Sequence, residues 1–351
     1  MESIPQDEGE TLTGPIITIK DVAAMAGVSP ATASRVLSGN PATSHEATAK
    51  VVAAAARLGY RPNAQARALR STRTNVVGLL VSDVRNPFFA DLAHAAEQAA
   101  LSNGLVTLLG NANESIEQQD RYLDTFISQR VAGVVAAPQG EGSPSLKAVL
   151  ERGIPTVFVD RTVDGIDIPS VTSDSDSGIR QAVEHLAGLG HKRVGYIAGP
   201  ETTSTGRARL RSFSRAARDF GLSDDPDLTF VGDFQSASGA AGARHLLALP
   251  QRPTALLAAD SPMAVGALST LQHEGVHIGS DLALVAFDDL EWFPLLDTPL
   301  TVIAHDVETM GRTAVKLLLD VIDGHRPESV VLPSELIVRA STETPPKRQV
   351  L

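Results

Sequence analysis

Acids, arginines and aromatics recur in this chain at one kind of place, just after short apolar runs. Asp83, Asn86, Phe88 and Phe89 follow VVGLLVS, and Asp160 and Arg161 follow IPTVFV. Thr205 and Arg209 follow YIAGP, Phe234 follows TFVGD, Asp260 follows TALLAA, Asp288 follows LALVAF and His305 follows TVIA. Carboxylates and guanidiniums that face each other make paired bonds to vicinal hydroxyls, while aromatic plates stack on the apolar face of a ring. The set predicts a site for a small polyhydroxylated ligand, a sugar in the first instance; a nucleobase or nucleoside would use similar groups. Each residue taken singly reads about equally well as a strand-end cap or an ion pair between lobes. Other chemistry is missing. No P-loop, GxSxG elbow or paired-carboxylate spacing stands out, and Gly188 and Gly190 lack the third glycine of a dinucleotide fingerprint. The nine histidines are scattered, and His191, Lys192 and Arg193 read as a solvated turn. No catalytic site, metal or cofactor is expected.

The apolar runs alternate with helical stretches from residue 75 to 340. Uniformly apolar strands are buried on both faces, which means parallel sheets with helices outside. Ligands of such sheets bind beyond the carboxyl ends of the strands, where these polar groups sit.

With 351 residues the chain is too long for one ordinary core, and two or three domains are expected. It is 43% hydrophobic, 20% charged and 4% aromatic, with no cysteine. That composition excludes a mostly disordered chain, a disulfide framework and thiolate chemistry. No window of eighteen uncharged apolar residues occurs, so no membrane span is expected. MESIPQDEGETLTGP lacks the basic start and apolar run of an export signal.

The net charge of −11 argues against nucleic acid only as an average. Residues 1–16 carry four acids and no base, and are expected to be a disordered tail. Residues 17–74 carry Lys20, Arg35, Lys50, Arg57, Arg61, Arg67, Arg70 and Arg73 against Asp21 and Glu46, a net of +6. A basic head on an acidic body is the electrostatic footprint of a nucleic-acid-binding module.

The head has its own punctuation. Thr18 and Asp21 form a capping box for a helix Ile19–Ala26, with Val22, Met25 and Ala26 near one face. Gly27 permits the left-handed turn, Ser29 caps a second helix, and Pro30 takes its first position. A third helix, capped by Ser44, carries Val51, Val52, Ala55 and Leu58 to close a small core. Two short helices about a glycine turn are a helix-turn-helix, whose second helix enters the major groove. Its exposed candidates are Pro30, Ala31, Thr32, Ser34 and Arg35; the arginine suits guanine, and the hydroxyls suit phosphates or base edges.

TIKDVAAMAGVSPATASRVLSG followed by GYRPNAQARALRS resembles the headpiece of the lactose/galactose repressor family of bacterial transcription regulators. DVRNPFFADLAHAAEQA, GIPTVFVDR, HLAGLGHKRVGYIAGP, STGRARLRSF and LALVAFDDLEWFPLLDTPLTVI extend the resemblance to roughly residues 17–342. It implies an all-α helix-turn-helix DNA-binding headpiece on an α/β two-lobed body with parallel sheets, similar to periplasmic binding proteins. The implied parts are the headpiece at 17–61, a hinge helix and linker at 62–74, and an effector-binding and dimerisation domain at 75–342. The N-lobe would hold about 75–172 and 304–330, the C-lobe about 174–302 and 331–342, with a tail at 343–351. Thr18, Ser29 and the second helix would contact DNA. From the hinge, Asn63, Ala66 and Leu69 would meet the minor groove, Leu69 as a wedge. A helix of about eight residues is marginal alone in water, so the hinge should order only on DNA. By the same match Phe88, Phe89, Asp160, Arg161, Thr205, Arg209, Phe234 and Asp288 would touch the effector. The family pattern is broken at Ala33, Thr43, Ala47 and Thr48 in the head. In the body, Ala259 and His305 replace common amides, and Pro262 is unusual.

The function expected is a cytoplasmic transcription regulator of repressor type. It would bind a palindromic operator as a homodimer under allosteric control by a small-molecule effector, a sugar or, alternatively, a nucleobase or nucleoside corepressor. A tail without a leucine heptad predicts a dimer and no tethered tetramer. A solute-binding protein would need an export signal and no basic head. An α/β enzyme would need pocket carboxylates with evident pKa perturbers.

Overall fold

The computed structural model describes residues 17–37, 42–60 and 74–343. The expectations for the N-terminal tail, for the hinge with Asn63, Ala66 and Leu69, and for the segment after Glu343 lie outside the described residues. Two compact units are present, one within residues 17–60 and one from Thr74 onward.

The first unit is three helices. At the start of α1 (Ile19–Ala26) the Thr18 backbone N–H donates to Asp21 Oδ2 at 2.7 Å, and the Thr18 hydroxyl donates to the same oxygen. Gly27 ends the helix at φ 65°, a left-handed conformation costly for a residue with a Cβ. Ser29 Oγ accepts from Thr32 N at 3.1 Å and opens α2 (Pro30–Leu37). Ser44 Oγ accepts from Ala47 N at 3.2 Å and opens α3 (His45–Leu58). The core between them is small: Val22, Ala23, Ala26, Ala33, Val36, Val51, Ala54 and Ala55. Two expected members are outside it. Met25 is 47% exposed because Val22, Ala23 and Ala26 already fill the inner stripe of α1. Val52 is 54% exposed, since one residue past Val51 is about 100° round the helix.

The second unit contains two six-stranded sheets. The first holds β1 (Val76–Val81), β2 (Val106–Asn111), β3 (Val134–Ala136), β4 (Thr156–Val159), β5 (Ser170–Ser173) and β11 (Val330–Leu332), ordered β11-β5-β4-β3-β1-β2. The second holds β6 (Val194–Ala198), β7 (Thr229–Val231), β8 (Ala255–Ala258), β9 (Ala283–Phe287), β10 (Thr301–His305) and β12 (Ser334–Ile337), ordered β12-β10-β9-β8-β6-β7. Every pairing is parallel except β10 with β12. The central strands are buried throughout, as their apolar runs require. The edge strand β2 departs from that pattern and exposes Val106 and Leu109.

The chain passes between the sheets three times, at Asp174, at Asp306 and at Pro333. The last two passages fall a few residues later than the sequence suggested. Thr301–His305 pairs with β9 and β12, and Val330–Leu332 stays with β5. Each aspartate also caps the next helix, Asp174 at α7 (Ser175–Gly188) and Asp306 at α11 (Val307–Ile322). In the second lobe α9 (Ser236–Leu247) and α10 (Ser261–His273) cross at backbone contact. A Cβ on Gly266 would lie 1.9 Å from Ser236 O, and one on Gly239 would lie 2.1 Å from Met263 O.

The HKR turn is solvated only in part: Lys192 is exposed and Arg193 half-buried, but the histidine is not solvated. His191 is 1% exposed, and its Nδ1 meets Thr254 Oγ1 at 2.8 Å. Arg193 pairs with Asp225 at 2.8 Å. Among the described residues no helix is long and apolar enough to cross a membrane.

Candidate functional site

In the first unit α2 turns Ala33 and Val36 inward and leaves Pro30, Ala31 and Arg35 exposed, with Thr32 and Ser34 half-buried. The Ser29 and Thr32 hydroxyls lie 2.9 Å apart at the start of the helix, and Thr18 is exposed at the start of α1. The candidates from Ser29 to Arg35 thus cluster on one short helix and its cap. Of the departures from the family pattern, Thr48 bonds back to Ser44 O at 3.0 Å and meets the Thr43 hydroxyl at 3.3 Å.

In the second unit one pocket between the sheets gathers nine of the ten body candidates. Phe88, Phe89, Asp160, Arg161, Thr205, Arg209, Phe234, Asp260 and Asp288 line it together with Asn86. The enclosed space is about 20 Å³, room for one water. The tenth, His305, stands behind Phe88 with ring centroids 5.3 Å apart, and lines a separate groove with α11. Asp83 is turned to the rim, where Arg85 binds it at 2.7 Å.

Strand ends and helix starts supply the positions. Asn86 caps α4 (Pro87–Ser102), which carries the two phenylalanines, and Asp260 caps α10 by accepting from Met263 N at 2.9 Å. Thr203 caps α8 (Ser204–Asp219), which carries Thr205 and Arg209. Asp160, Phe234 and Asp288 have φ of 60°, 64° and 68°. Left-handed backbone is uncommon outside glycine and rare for a bulky residue, and three cases on one pocket mark a place where position outweighs local comfort.

Arg161 is fully engaged at its two terminal nitrogens. They bind both oxygens of Glu114 at 2.7 and 2.8 Å, and Nη1 also donates to Gln139 Oε1 at 3.0 Å. Its guanidinium faces Phe89 and Phe234, 5.7 and 5.2 Å from the ring centres. Arg209 donates to Ala259 O at 2.6 Å and lies 3.6 Å over the Phe287 ring. So Ala259 contributes its backbone oxygen where an amide side chain was missed. Ser261 Oγ donates to Asp288 Oδ2 at 3.1 Å. Asp160 Oδ1, Asp288 Oδ1, Arg161 Nε, Arg209 Nε and both His305 ring nitrogens are buried without a hydrogen-bond partner, and Arg161 Nε lies 3.6 Å from Asp160 Oδ2.

Burial raises the pKa of Asp160 and Asp288, with Arg209 pulling the other way in both, and raises Asp260 to about 8. Burial also lowers His305 to about 4, helped by Arg209, so the imidazole is neutral. At Arg161 burial opposes the charge, and Glu114 with Asp160 outweighs it. Glu114 and Gln139 were not anticipated. The one sequence signal, for Glu114 alone, was the polar run NANES, where Asn113 and Glu114 have φ of 50° and 56°.

Several contacts join the two lobes across the pocket. Arg85 donates to Gln235 at 3.1 Å, Ser261 to Asn86 at 3.3 Å, Thr162 N to Ser204 Oγ at 2.9 Å and Arg207 to Asp164 at 3.0 Å.

Residues 18–63 match the profile of bacterial regulatory proteins of the lacI family, and residues 183–342 match a periplasmic binding protein-like domain. The chain is 34% identical over 334 residues to the HTH-type transcriptional repressor CytR of Escherichia coli strain K12, covering 94% of this chain and 97% of that protein. The lac repressor dimer bound to operator and the anti-inducer ONPF has a TM-score of 0.81 at 29% identity, over 93% of this chain and 99% of that one. The regulator CelR in complex with cellobiose has a TM-score of 0.71 at 32% identity, with the same coverage.

Proposed function

This chain belongs to the lacI family of bacterial DNA-binding transcriptional regulators, and on that premise we propose a cytoplasmic repressor that holds a two-fold-symmetric operator as a homodimer and answers to a small ring bound between its lobes. One small headpiece makes too few contacts for specificity, and a symmetric pair doubles them. In this reading α2 enters the major groove, with Arg35 on a base edge and Ser29, Thr32 and Ser34 on phosphates or bases. Thr18 holds the backbone. Asn63, Ala66 and Leu69 serve the minor groove, where a leucine wedge recovers its unstacking cost through the bend.

The observation that carries the effector half is the set of unspent polar atoms about one pocket: Asp160 Oδ1, Asp288 Oδ1, Arg161 Nε and Arg209 Nε. Buried polar groups nearly always find partners, and four exceptions about one pocket, two from each lobe, match the hydroxyls of a sugar. A nucleobase or nucleoside is the second reading, favoured by the Phe88, Phe89 and Phe234 plates against which a flat base would stack. With about 20 Å³ enclosed, either ligand must part the lobes, and the contacts of Gln235, Asn86 and Ser204 change with it. A coupling of about 1–3 kcal/mol to the headpieces is typical of such switches.

The test is fluorescence anisotropy on the DNA upstream of the protein's own gene, against a scrambled duplex, over a salt series. Specific binding at least about a thousandfold tighter is expected, followed by a shift on adding the effector. Absence of binding to either duplex at low salt overturns the reading.

A further inference from the structure

The start of α2 limits the kind of base edge that the headpiece can read. In a helix-turn-helix the first residues of the second helix meet the bases. Here they are Pro30 and Ala31, both exposed, while Ala33 and Val36 turn into the core. Paired hydrogen bonds to adenine need an Asn or Gln side chain, and those to guanine an Arg or Lys. The sequence of α2, PATASRVL, offers one such group, Arg35, a full turn beyond the helix start.

The hydroxyls beside that corner are committed to the cap. Ser29 Oγ accepts from Thr32 N at 3.1 Å, and the two hydroxyl oxygens lie 2.9 Å apart, so one of their two protons lies between them. Proline has no N–H, and Pro30 therefore brings no backbone donor either. What α2 presents first is hydrocarbon, the ring of Pro30 and the methyl of Ala31. Thymine alone carries a hydrocarbon group on its major-groove edge, the C5-methyl. Pressed on an amine or carbonyl edge instead, the same two side chains would strip its water and return no hydrogen bond.

We infer that the corner formed by Pro30 and Ala31 selects thymine, by contact with its C5-methyl group, in each half of the operator. The inference rests on the DNA reading above and adds the base that the first turn of α2 prefers. One buried methyl is worth roughly a factor of four in binding, so one such thymine in each of two half-sites is worth about fifteenfold.

The test is fluorescence anisotropy of the full-length protein on the duplex upstream of its gene, made once with thymine and once with uracil at every thymine position. Uracil keeps the base pairing and the hydrogen-bonding groups, and lacks only the methyl. The uracil duplex is expected to bind more weakly by about fifteenfold or more. A scrambled duplex, held by its phosphates, should bind alike in both forms. Pro30→Ser and Ala31→Ser replace hydrocarbon by a small polar group at exposed positions, where the fold depends little on the side chain. At least one of them should reduce the uracil penalty to about fourfold or less, while unchanged binding of scrambled DNA shows that the headpiece is folded. Equal affinity of the parent for the thymine and uracil duplexes overturns the inference, and so does a penalty that survives undiminished in both variants. In either case a preference for the upstream duplex over the scrambled one leaves the regulator reading standing. If those two duplexes bind alike, that reading itself fails and takes the inference with it.

Discussion

Glu114 and Arg161, 47 residues apart in the chain, meet fork to fork at 2.7 and 2.8 Å under the wall of the interlobe pocket. The arginine side chain is 3% exposed and the glutamate 14%, so water does little to support either charge. The pair is a support for the pocket more than a contact with its contents, because it fixes Arg161 between Phe89 and Phe234.

Glu114→Ala should therefore destabilise the body by about 3–5 kcal/mol in urea melts, the cost of an uncompensated buried charge. Adding Arg161→Met to the same chain should recover part of that loss, since the stranded guanidinium goes with it. Additive losses in the double variant would show that the two residues act independently.

Arg35→Ala should lower operator affinity by about 1–3 kcal/mol and leave binding to scrambled DNA nearly unchanged. Anisotropy with both duplexes at one salt concentration separates these outcomes. An equal loss on both would make Arg35 a phosphate contact.

His191 gives the body an acid-sensitive component. Burial, with a smaller push from His185, lowers its pKa from 6.5 to about 4. The folded state thus binds its proton less readily than the unfolded chain does. Its contribution is complete above pH 6.5 and is lost as the pH falls toward 4, roughly 3 kcal/mol in all. His191→Gln should flatten the stability curve over that window, measured as the difference from the parent at each pH.

His191 also marks a limit of what the sequence discloses. The parallel sheets were legible because strands such as Leu79–Val81 and Leu256–Ala258 are apolar on both faces, a pattern few other arrangements require. The pocket wall was legible for a related reason: polar side chains directly after such strands have few other places to go. His191 was misread because Lys192 and Arg193 made its surroundings look wet, while its own side chain turns under the sheet to Thr254. Met25 and Val52 satisfied an apolar pattern that the small headpiece core had no room to use. Glu114 and Gln139 sit on loops whose direction depends on backbone turns, and nothing in their spacing pointed at Arg161. Long-range polar pairing leaves almost no periodic trace in a sequence.

Gly266→Ala should cost about 3 kcal/mol, because the new methyl meets the Ser236 carbonyl at 1.9 Å and backbone cannot step aside as a side chain would. Gly188→Ala is the control. It is the last residue of α7 with nothing within 4 Å of the added carbon, and should gain up to about 1 kcal/mol in helix propensity. Thermal melts of the two variants, read against the parent, test the contrast.

The three passages between the sheets have a consequence for how the molecule is made. Domains fold as they leave the ribosome, N-terminal end first. The headpiece needs only residues 17–60 and can form early, as its core is wholly local. The body cannot. Its first sheet waits for Val330–Leu332 and its second for Ser334–Ile337, so both lobes stay unfinished until those strands have been made. Neither lobe is a continuous stretch of reading frame, and no single deletion can remove one and spare the other. A message that stops anywhere before Ser334 encodes a headpiece with no finished two-lobed body behind it.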